Sequence, residues 1–272
     1  MQEKIKFHYA LQLCDIANRE CNERYVGHDR TTISKKSVKS LLLSIKNLVS
    51  EKPFTYHYIK IFNDRSSIEL IDFVNKQIDY FVSENIHIEL SNVSKPGIYF
   101  GIRDTYFWLQ ENGKDFVFQV QDDYLFEESA MMEMAEVFFK IKNETGSECL
   151  ISPYNDSWLW ESPYKNISTP RVVIVGKHRY WIQYYDMSCS FFTSHNQFSQ
   201  HWDLYDMFFA LLKKIITEPQ NDLENKSLNL ILTRRGVLGI VPITSLALHL
   251  QSELEKDPHI DWEDRWNKID VT

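Results

Sequence analysis

Apolar runs alternate with segments of helical spacing along roughly the first 150 residues of the chain. Short apolar runs bounded by polar turns are typical of buried strands, and apolar positions that recur every three or four residues are typical of helices. The predicted strands are 5–14, 56–62, 86–93, 116–120 and 149–154. The predicted helices are 37–49 with Ser34 as the N-cap, 68–82, 98–111 and 127–142. This alternation predicts an α/β fold with a mostly parallel central sheet flanked by helices.

The second half of the chain has a less regular pattern. Residues 171–185 are predicted to form strands, 191–198 a loop and 204–216 an amphipathic helix. The C-terminal tail is predicted to contain a loop and a helix that carries His249. Neither a linker-like stretch nor an internal repeat divides the chain, so we predict a single domain over 1–272.

Charge and cysteine usage narrow the class of protein. The net charge of −8 argues against a broad nucleic-acid surface, which needs an excess of Lys and Arg. An acidic protein can still bind a polyanionic ligand where a cation bridges the two. The four cysteines have no CxxC spacing, no signal peptide is evident, and no apolar run approaches the ~20 residues of a transmembrane segment. We therefore expect a cytoplasmic protein without a transmembrane segment.

Three of the predicted strands end in polar residues. The second strand is followed by Asp64 and Arg65, the third ends in Asn92–Ser94, and the fourth is followed by Asp122 and Asp123. Ligands of parallel sheets bind beyond the carboxyl ends of the strands. We therefore expect these three strand ends to converge on one cleft.

The acidic pair Asp122–Asp123 needs a physical explanation. Like charges repel, and burial at the end of an apolar strand disfavours both carboxylates. A divalent cation would relieve this, and hard oxygen ligands suit Mg²⁺ or Mn²⁺, which often keep positions open for phosphate oxygens. The alternative is a solvated turn with two surface acids, and the spacing alone leaves both possibilities open.

Four stretches together resemble a known family. They are FVFQVQDDYLFEESAM (116–131), FNDRSS (62–67), CLISPYND (149–156) and PITSLALHLQSELEKDPHIDWE (242–263). In their order and spacing along the chain, these stretches resemble those of GT-A fold glycosyltransferases, and more narrowly those of the family 2-like enzymes. Gln121 departs from the pattern, because an acid is common at that position. The resemblance implies a nucleotide-sugar-binding half over 1–155 and an acceptor-side half over 156–272.

The resemblance implies a metal site that contains the acidic pair. Asp123 would be the main ligand of Mn²⁺ or Mg²⁺, with Asp122 beside it, and His249 would be a second ligand brought in from the C-terminal region. A neutral imidazole suits Mn²⁺ better than Mg²⁺. The alternative for His249 is a half-buried histidine on the helix after Pro242.

The resemblance also implies a nucleotide site, with UDP as the expected nucleotide. Asp64 would accept a hydrogen bond from the base, and Arg65 would flank the nucleotide. Gln121 and Asp122 would face the ribose, where an amide can still bind a hydroxyl. Arg30 follows the first strand, so it would open toward the same cleft.

Sugar transfer also needs positive charge at the leaving diphosphate and, in an inverting enzyme, a carboxylate base near the acceptor hydroxyl. His178, Arg179, Arg234 and Arg235 are further candidate cations, each with a surface charge as the alternative. The candidate bases are Asp203, Asp206 and Asp156. For Asp203 taken alone, a helix cap is the simpler interpretation.

Two other functions remain open. A sugar-nucleotidyltransferase would share the α/β layout and the acidic metal site, but it normally has a Gly-rich basic loop after the first strand. Here that stretch is CDIANRECNERYVG, with one late glycine. The other alternative is an inactive nucleotide-sugar-binding module, because a fold alone does not establish activity. The expected partners are a UDP-sugar donor and a glycan or other hydroxyl acceptor, without nucleic acid.

Overall fold

The computed structural model describes residues 3–15, 28–155, 172–185, 190–215, 226–250, 257 and 259–271. The strands within these ranges are β1 (Ile5–Leu13), β2 (Thr55–Asn63), β3 (Ile86–Asn92), β4 (Phe116–Gln121), β5 (Tyr124–Phe126), β6 (Cys149–Ile151), β7 (Val173–Val175), β8 (Tyr180–Tyr184), β9 (Phe191–Ser194), β10 (Leu238–Pro242) and β11 (Ala247–His249). The helices are α1 (Arg30–Glu51), α2 (Ile68–Phe81), α3 (Ile98–Asn112), α4 (Ala130–Thr145), α5 (His195–Gln200), α6 (Trp202–Ile215), α7 (Asn229–Thr233) and α8 (Trp262–Lys268). None of these helices is both long and apolar enough to cross a bilayer.

Nine strands form one central sheet in the order β3-β2-β1-β4-β9-β6-β10-β8-β7. The strands β3, β2, β1 and β4 are parallel neighbours, and their pairings are the longest in the sheet. β9 enters antiparallel between β4 and β6, and β8 and β7 add an antiparallel edge. The predicted α/β class with a mostly parallel sheet is confirmed, and a separate two-stranded sheet pairs β5 with β11.

Each face of the central sheet has its own hydrophobic core. Alternate residues of β1, from Phe7 to Leu13, pack with α1, α2 and α4 in the larger core. Ala10 faces the other side, where α3, α5 and α6 supply a core rich in aromatic rings. This period of two follows from the pleat of a strand that is covered on both faces.

A third, smaller core supports the two-stranded sheet. Leu125 from β5 and Leu248 from β11 pack against Ile33 of α1 and against Trp262 and Trp266 of α8. The C-terminal helix therefore holds β11 against the first turns of α1. This contact matters because both elements carry side chains of the candidate site.

The start of α1 differs from the prediction. Asp29 is the N-cap, and its carboxylate accepts a hydrogen bond from the backbone N–H of Thr32 at 2.9 Å. Ser34, the predicted N-cap, lies inside the helix, where its side chain is fully buried. Both residue types favour the cap position, so the choice between them could not be made from propensity alone.

Two elements of the second half also differ from the prediction. Residues 191–198 form β9 and most of α5 rather than a loop. β9 has no alternation because all four of its residues are buried inside the sheet. His249 lies on β11 rather than on a helix. A strand of three residues is too short for a period to be recognised.

A buried histidine lies in the larger core. The Nδ1 atom of His57 is 2.8 Å from the Tyr9 hydroxyl, and its Nε2 atom is 2.9 Å from the Thr55 hydroxyl. Its ring also stacks on Phe7, with ring centroids 4.9 Å apart. Burial lowers the pKa of His57 from 6.5 to about 3, so the ring is neutral in the folded protein.

We expect His57 to make the protein sensitive to acid. The unfolded state binds a proton below about pH 6.5, whereas the folded state does not until about pH 3. Stability is therefore lost as the pH falls, and the loss between pH 7 and 5 is about 2 kcal/mol for this one group. Urea unfolding at the two pH values measures it, and His57→Gln should show a flatter dependence. An equal slope in both proteins would contradict the assignment.

Candidate functional site

The carboxyl ends of β1, β2 and β4 meet at one edge of the sheet. The backbone N–H of Asp64, after β2, donates to the carbonyl of Leu13 at 2.9 Å. The backbone N–H of Cys14, after β1, donates to Asp122 Oδ2 at 2.9 Å. The predicted convergence of the polar strand ends is thus explained by the parallel pairing of these strands.

Asp122 is a fully engaged buried carboxylate. Its Oδ2 atom accepts from Cys14 N and from the Ser34 hydroxyl at 2.7 Å, and its Oδ1 atom accepts from the guanidinium of Arg30. Burial raises the pKa of Asp122, and the positive charge of Arg30 opposes this rise. Its carboxylate therefore has a cation and two neutral donors from the protein itself.

Arg30 is the cation that lies between the two aspartates. It begins α1, its Nε atom donates to the carbonyl of Cys14 at 3.1 Å, and its Nη1 atom is 3.6 Å from Asp123 Oδ2. Burial alone would lower the pKa of Arg30, but the two carboxylates raise it overall. The charge repulsion that suggested a divalent cation is thus offset in part by Arg30. Arg30 was expected in the cleft, but its pairing with Asp122 was not foreseen.

Asp123 and His249 are brought together by the two-stranded sheet. Their closest atoms, Asp123 Oδ2 and His249 Nε2, are 3.7 Å apart, and both side chains are largely buried. Leu250 N donates to the carbonyl of Asp123 at 2.7 Å, which continues the pairing of β11 with β5. The ring of His249 stacks on Tyr124 with centroids 4.5 Å apart, and Tyr154 lies 5.7 Å away. This packing directs the imidazole toward the acidic pair.

The donor set at this edge fits an ion that is only partly held by protein. Across the residues with described positions, no group of three or more His, Cys, Asp and Glu side chains is arranged to hold a metal ion. Asp122 already accepts bonds from Arg30, Ser34 and Cys14, which leaves one lone pair, on Oδ1, for any further contact. Asp123 and His249 fit as two ligands of an ion that completes its shell from water or a ligand, as Mg²⁺ does at phosphate sites.

Asp64 lies beside the start of α3. Its Oδ2 atom accepts from the backbone N–H of Gly97 at 3.0 Å, and its Oδ1 atom accepts from Arg65 Nε at 3.0 Å. The carboxylate is buried, whereas the Arg65 side chain is 62% exposed on a left-handed backbone with φ 58°. Gln121 ends β4 half-buried and pairs in register with Gln12 of β1. Asp64 and Gln121 thus lie at the same edge as the acidic pair.

The structure does not bring Asp203 to this edge. β9 runs antiparallel to β4, so α5 begins at the amino-terminal end of β4, where His195 N donates to the carbonyl of Asp115. Asp203, in the first turn of α6, pairs there with Arg235 at 2.6 Å. Six strand residues, roughly 20 Å, separate this end of β4 from the acidic pair, so Asp203 lies away from Asp123, and its role as the base stays an untested prediction.

Asp206 lies one turn beyond Asp203 on α6 and is exposed. It is therefore also placed toward the amino-terminal end of β4 rather than beside Asp123. Asp156, the third candidate base, lies outside the described residues. No predicted base is thus observed at the acidic pair among the residues with described positions.

Arg179 has a structural position instead of the predicted place near a phosphate. Its guanidinium binds Glu133 at 2.6 Å, Glu127 at 3.0 Å and the carbonyl of Thr244 at 2.7 Å. These bonds tie the turn before β8 to α4 and to the loop that leads into β11. Arg179 therefore supports the strand that carries His249, and its charge is already neutralised.

Sequence reasoning missed the contact of Ser34 with Asp122 and the stacking of Tyr124 on His249. A signal was present for Ser34, because residues four apart lie on one face of a helix and Arg30 precedes it by four. Tyr124 follows the acidic pair directly, but its partner lies 125 positions further along the chain and could not be identified from spacing.

No protein-family model matches the chain, and no curated protein matches it significantly. Solved structures do match. A UDP-glucose pyrophosphorylase complexed with UDP-glucose aligns with a TM-score of 0.50 and 11% identity, over 97% of this chain and 98% of that one. The galactosyltransferase LgtC in complex with donor and acceptor sugar analogs aligns with a TM-score of 0.40 and 12% identity, over 85% of this chain and 72% of that one. A UTP-bound UGPase from Acinetobacter baumannii aligns with a TM-score of 0.44 and 9% identity, over 98% of this chain and 100% of that one. At 11% identity the first match shows the fold alone: the chain has an α/β fold similar to that of this UDP-glucose pyrophosphorylase.

Proposed function

We propose that this protein is a metal-dependent glycosyltransferase that moves a sugar from a UDP-sugar to a hydroxyl acceptor. The observation that carries the proposal is the approach of His249 Nε2 to within 3.7 Å of Asp123 Oδ2, beside the buried Arg30–Asp122 pair. Two metal-binding groups of different chemistry, from distant parts of the chain, meet where α/β sheets bind their ligands. The resemblance of 116–131 to the acidic motif of GT-A glycosyltransferases supports the same function.

Each residue of the site has a proposed role. Asp123 and His249 would hold Mn²⁺ or Mg²⁺, and the ion would neutralise charge on the departing diphosphate. Arg30 holds Asp122 in place and adds positive charge at the same edge. Asp64 keeps lone pairs for an N–H of the base, since each of its oxygens accepts one bond in the structure.

Two further roles concern the nucleotide and the acceptor. The exposed Arg65 would flank the nucleotide, and the Gln121 amide would meet the ribose. For an inverting reaction, Asp156 remains our proposed base. Asp206 is not proposed as the base, because it lies near the start of α6, at the amino-terminal end of β4.

A sugar-nucleotidyltransferase is the second candidate. The match to UDP-glucose pyrophosphorylase over nearly the whole of both chains favours it. The stretch after β1 argues against it, because a triphosphate normally needs a Gly-rich basic loop there and this stretch has one glycine, Gly27. An inactive binding module would keep the fold without either activity.

A thermal-shift panel tests the proposal directly. UDP, UDP-glucose and UTP are each added with and without Mn²⁺, and a ligand at 100 times its Kd stabilises by about 2.7 kcal/mol. We expect UDP and UDP-glucose to raise the Tm only when Mn²⁺ is present. Mn²⁺ alone is the control, and no nucleotide-dependent shift under any condition would contradict the proposal.

The reaction products separate the candidates. A transferase should release UDP slowly from a UDP-sugar in Mn²⁺, because water can replace the acceptor. A nucleotidyltransferase should instead form UTP when pyrophosphate is supplied with UDP-glucose. Binding without either product would indicate an inactive module.

A further inference from the structure

A cavity of about 400 Å³ lies at the end of the sheet opposite the acidic pair. Its walls come from α1, α4 and the first residues of β1 and β2. Leu48 is near the end of α1, and Ile5 begins β1, so the cavity is bounded by the amino-terminal ends of the strands. It is therefore separate from the candidate site.

The interior of the cavity is apolar. Ile5, Phe7, Leu48, Met132 and Phe139 contribute to its lining. Its volume lies within the roughly 300–1,000 Å³ range of small-molecule sites, which are lined mainly by hydrophobic and aromatic groups. A ligand that fills it must therefore present a hydrocarbon surface.

The charged groups of the lining are unevenly compensated. Lys140 pairs with Glu144 at 2.5 Å, and Glu136 lies 3.3 Å from Lys177. Lys52 follows α1 and is half-buried, and within the described ranges its ammonium has no anionic partner. Of the two lysines in the lining, Lys52 is thus the one whose charge has no described anionic partner.

We propose that this cavity binds a free single-chain amphiphile of the fatty-acid class. The hydrocarbon tail would occupy the apolar interior, and the anionic head would pair with Lys52. The concave shape favours one separate molecule over a membrane surface, because a bilayer would need a continuous apolar face around the opening. Phe54, 45% exposed, is the apolar residue of the lining that is widely open to solvent.

The binding test uses the full chain without nucleotide, so its result does not depend on the transferase proposal. Decanoate, below its micelle concentration, is titrated calorimetrically into the protein. We expect saturable binding with one molecule per chain. Absence of saturable binding would overturn the proposal. Sedimentation with vesicles of phosphatidylcholine and phosphatidylglycerol, without decanoate binding, would also overturn it in favour of a membrane surface.

Three variants locate the ligand. Ala135→Leu places three more carbons in the cavity wall and should weaken decanoate binding at least tenfold. Lys52→Gln should weaken decanoate several-fold and leave 1-decanol unchanged, because only the acid carries a charge. Lys46→Gln removes an exposed lysine of α1 outside the lining and should bind like the wild type.

The same variants keep the proposal open to contradiction. Unchanged decanoate affinity in a folded Ala135→Leu protein would overturn the location. If that variant does not fold, an equal loss of decanoate and decanol binding in Lys52→Gln, or an equal loss in Lys46→Gln, would overturn the proposed head-group contact.

Discussion

Arg30→Met is expected to lower the free energy of unfolding by about 3–5 kcal/mol, because it leaves the buried carboxylate of Asp122 without its cation. Asp122 is only 2% exposed and lies next to a second buried carboxylate, so water cannot replace the guanidinium. At about 2–4 °C per kcal/mol for a chain of this size, the Tm should fall by roughly 10 °C. Urea unfolding and a thermal melt measure both quantities.

Arg65→Met is the matched control for this prediction. Arg65 also contacts a buried aspartate, Asp64, but its own side chain is 62% exposed and its pair is screened by water. We expect a much smaller loss of stability for this variant than for Arg30→Met, because exposed ion pairs contribute little. Equal losses in the two variants would contradict the buried-pair explanation.

A double-mutant cycle separates the ion pair from simple packing. In Arg30→Met/Asp122→Asn the buried charge is absent, and the carbonyl of the substituted amide side chain can still accept from Cys14 N or Ser34. The double variant should therefore be more stable than Arg30→Met alone. Additive losses would show that packing of the arginine side chain, rather than charge, sets the effect.

The first half of the fold could be predicted because local pattern and topology agree there. β1, β2 and β3 are each followed by a polar stretch and a helix, and β4 is followed by the acidic pair, β5 and α4; this alternation favours a parallel sheet. Parallel strands have their carboxyl ends at one edge, so the positions of Asp64 and Asp122 follow from the same pattern. The positions of Asp64 and Asp122 at this edge of the sheet could therefore be predicted from the sequence pattern.

The second half could not be predicted in the same way because its order depends on distant contacts. β9 is inserted between β4 and β6 although it follows both along the chain, and its four buried residues have no period. Because β9 is antiparallel to β4, α6 begins at the amino-terminal end of β4, and Asp203 therefore lies away from the acidic pair. Nothing in the local sequence around Asp203 carries this information.

The candidate site depends both on the local sequence pattern and on contacts between distant parts of the chain. Adjacent aspartates at a strand end indicated that a positive charge was needed, and a divalent ion was the first explanation. The protein supplies Arg30 for Asp122, and this pairing depends on where α1 begins. The ligands that we propose for an ion are Asp123 and His249, a pair that forms only because β11 returns beside β5.

Asp123→Asn is expected to lower Mn²⁺-dependent release of UDP from a UDP-sugar about 100-fold or more, if the proposed function is correct. The amide keeps the shape of the side chain but loses the negative charge that would hold the ion. A metal acting as a Lewis acid contributes several kcal/mol to the transition state, and each 1.4 kcal/mol is a factor of ten in rate. Turnover at saturating Mn²⁺ and the Mn²⁺ concentration for half-maximal rate are the measurements.

The stability of the same variant distinguishes a metal ligand from a structural residue. Removing the Asp123 charge relieves its repulsion with Asp122 but also loses its 3.6 Å contact with Arg30, so the Tm should change much less than in Arg30→Met. His249→Gln should raise the Mn²⁺ requirement with a smaller loss of rate, because one ligand remains. An Asp123→Asn protein that melts normally and keeps its Mn²⁺ dependence would remove Asp123 from the proposed ion site, since a residue that binds the ion cannot lose its charge without changing that dependence.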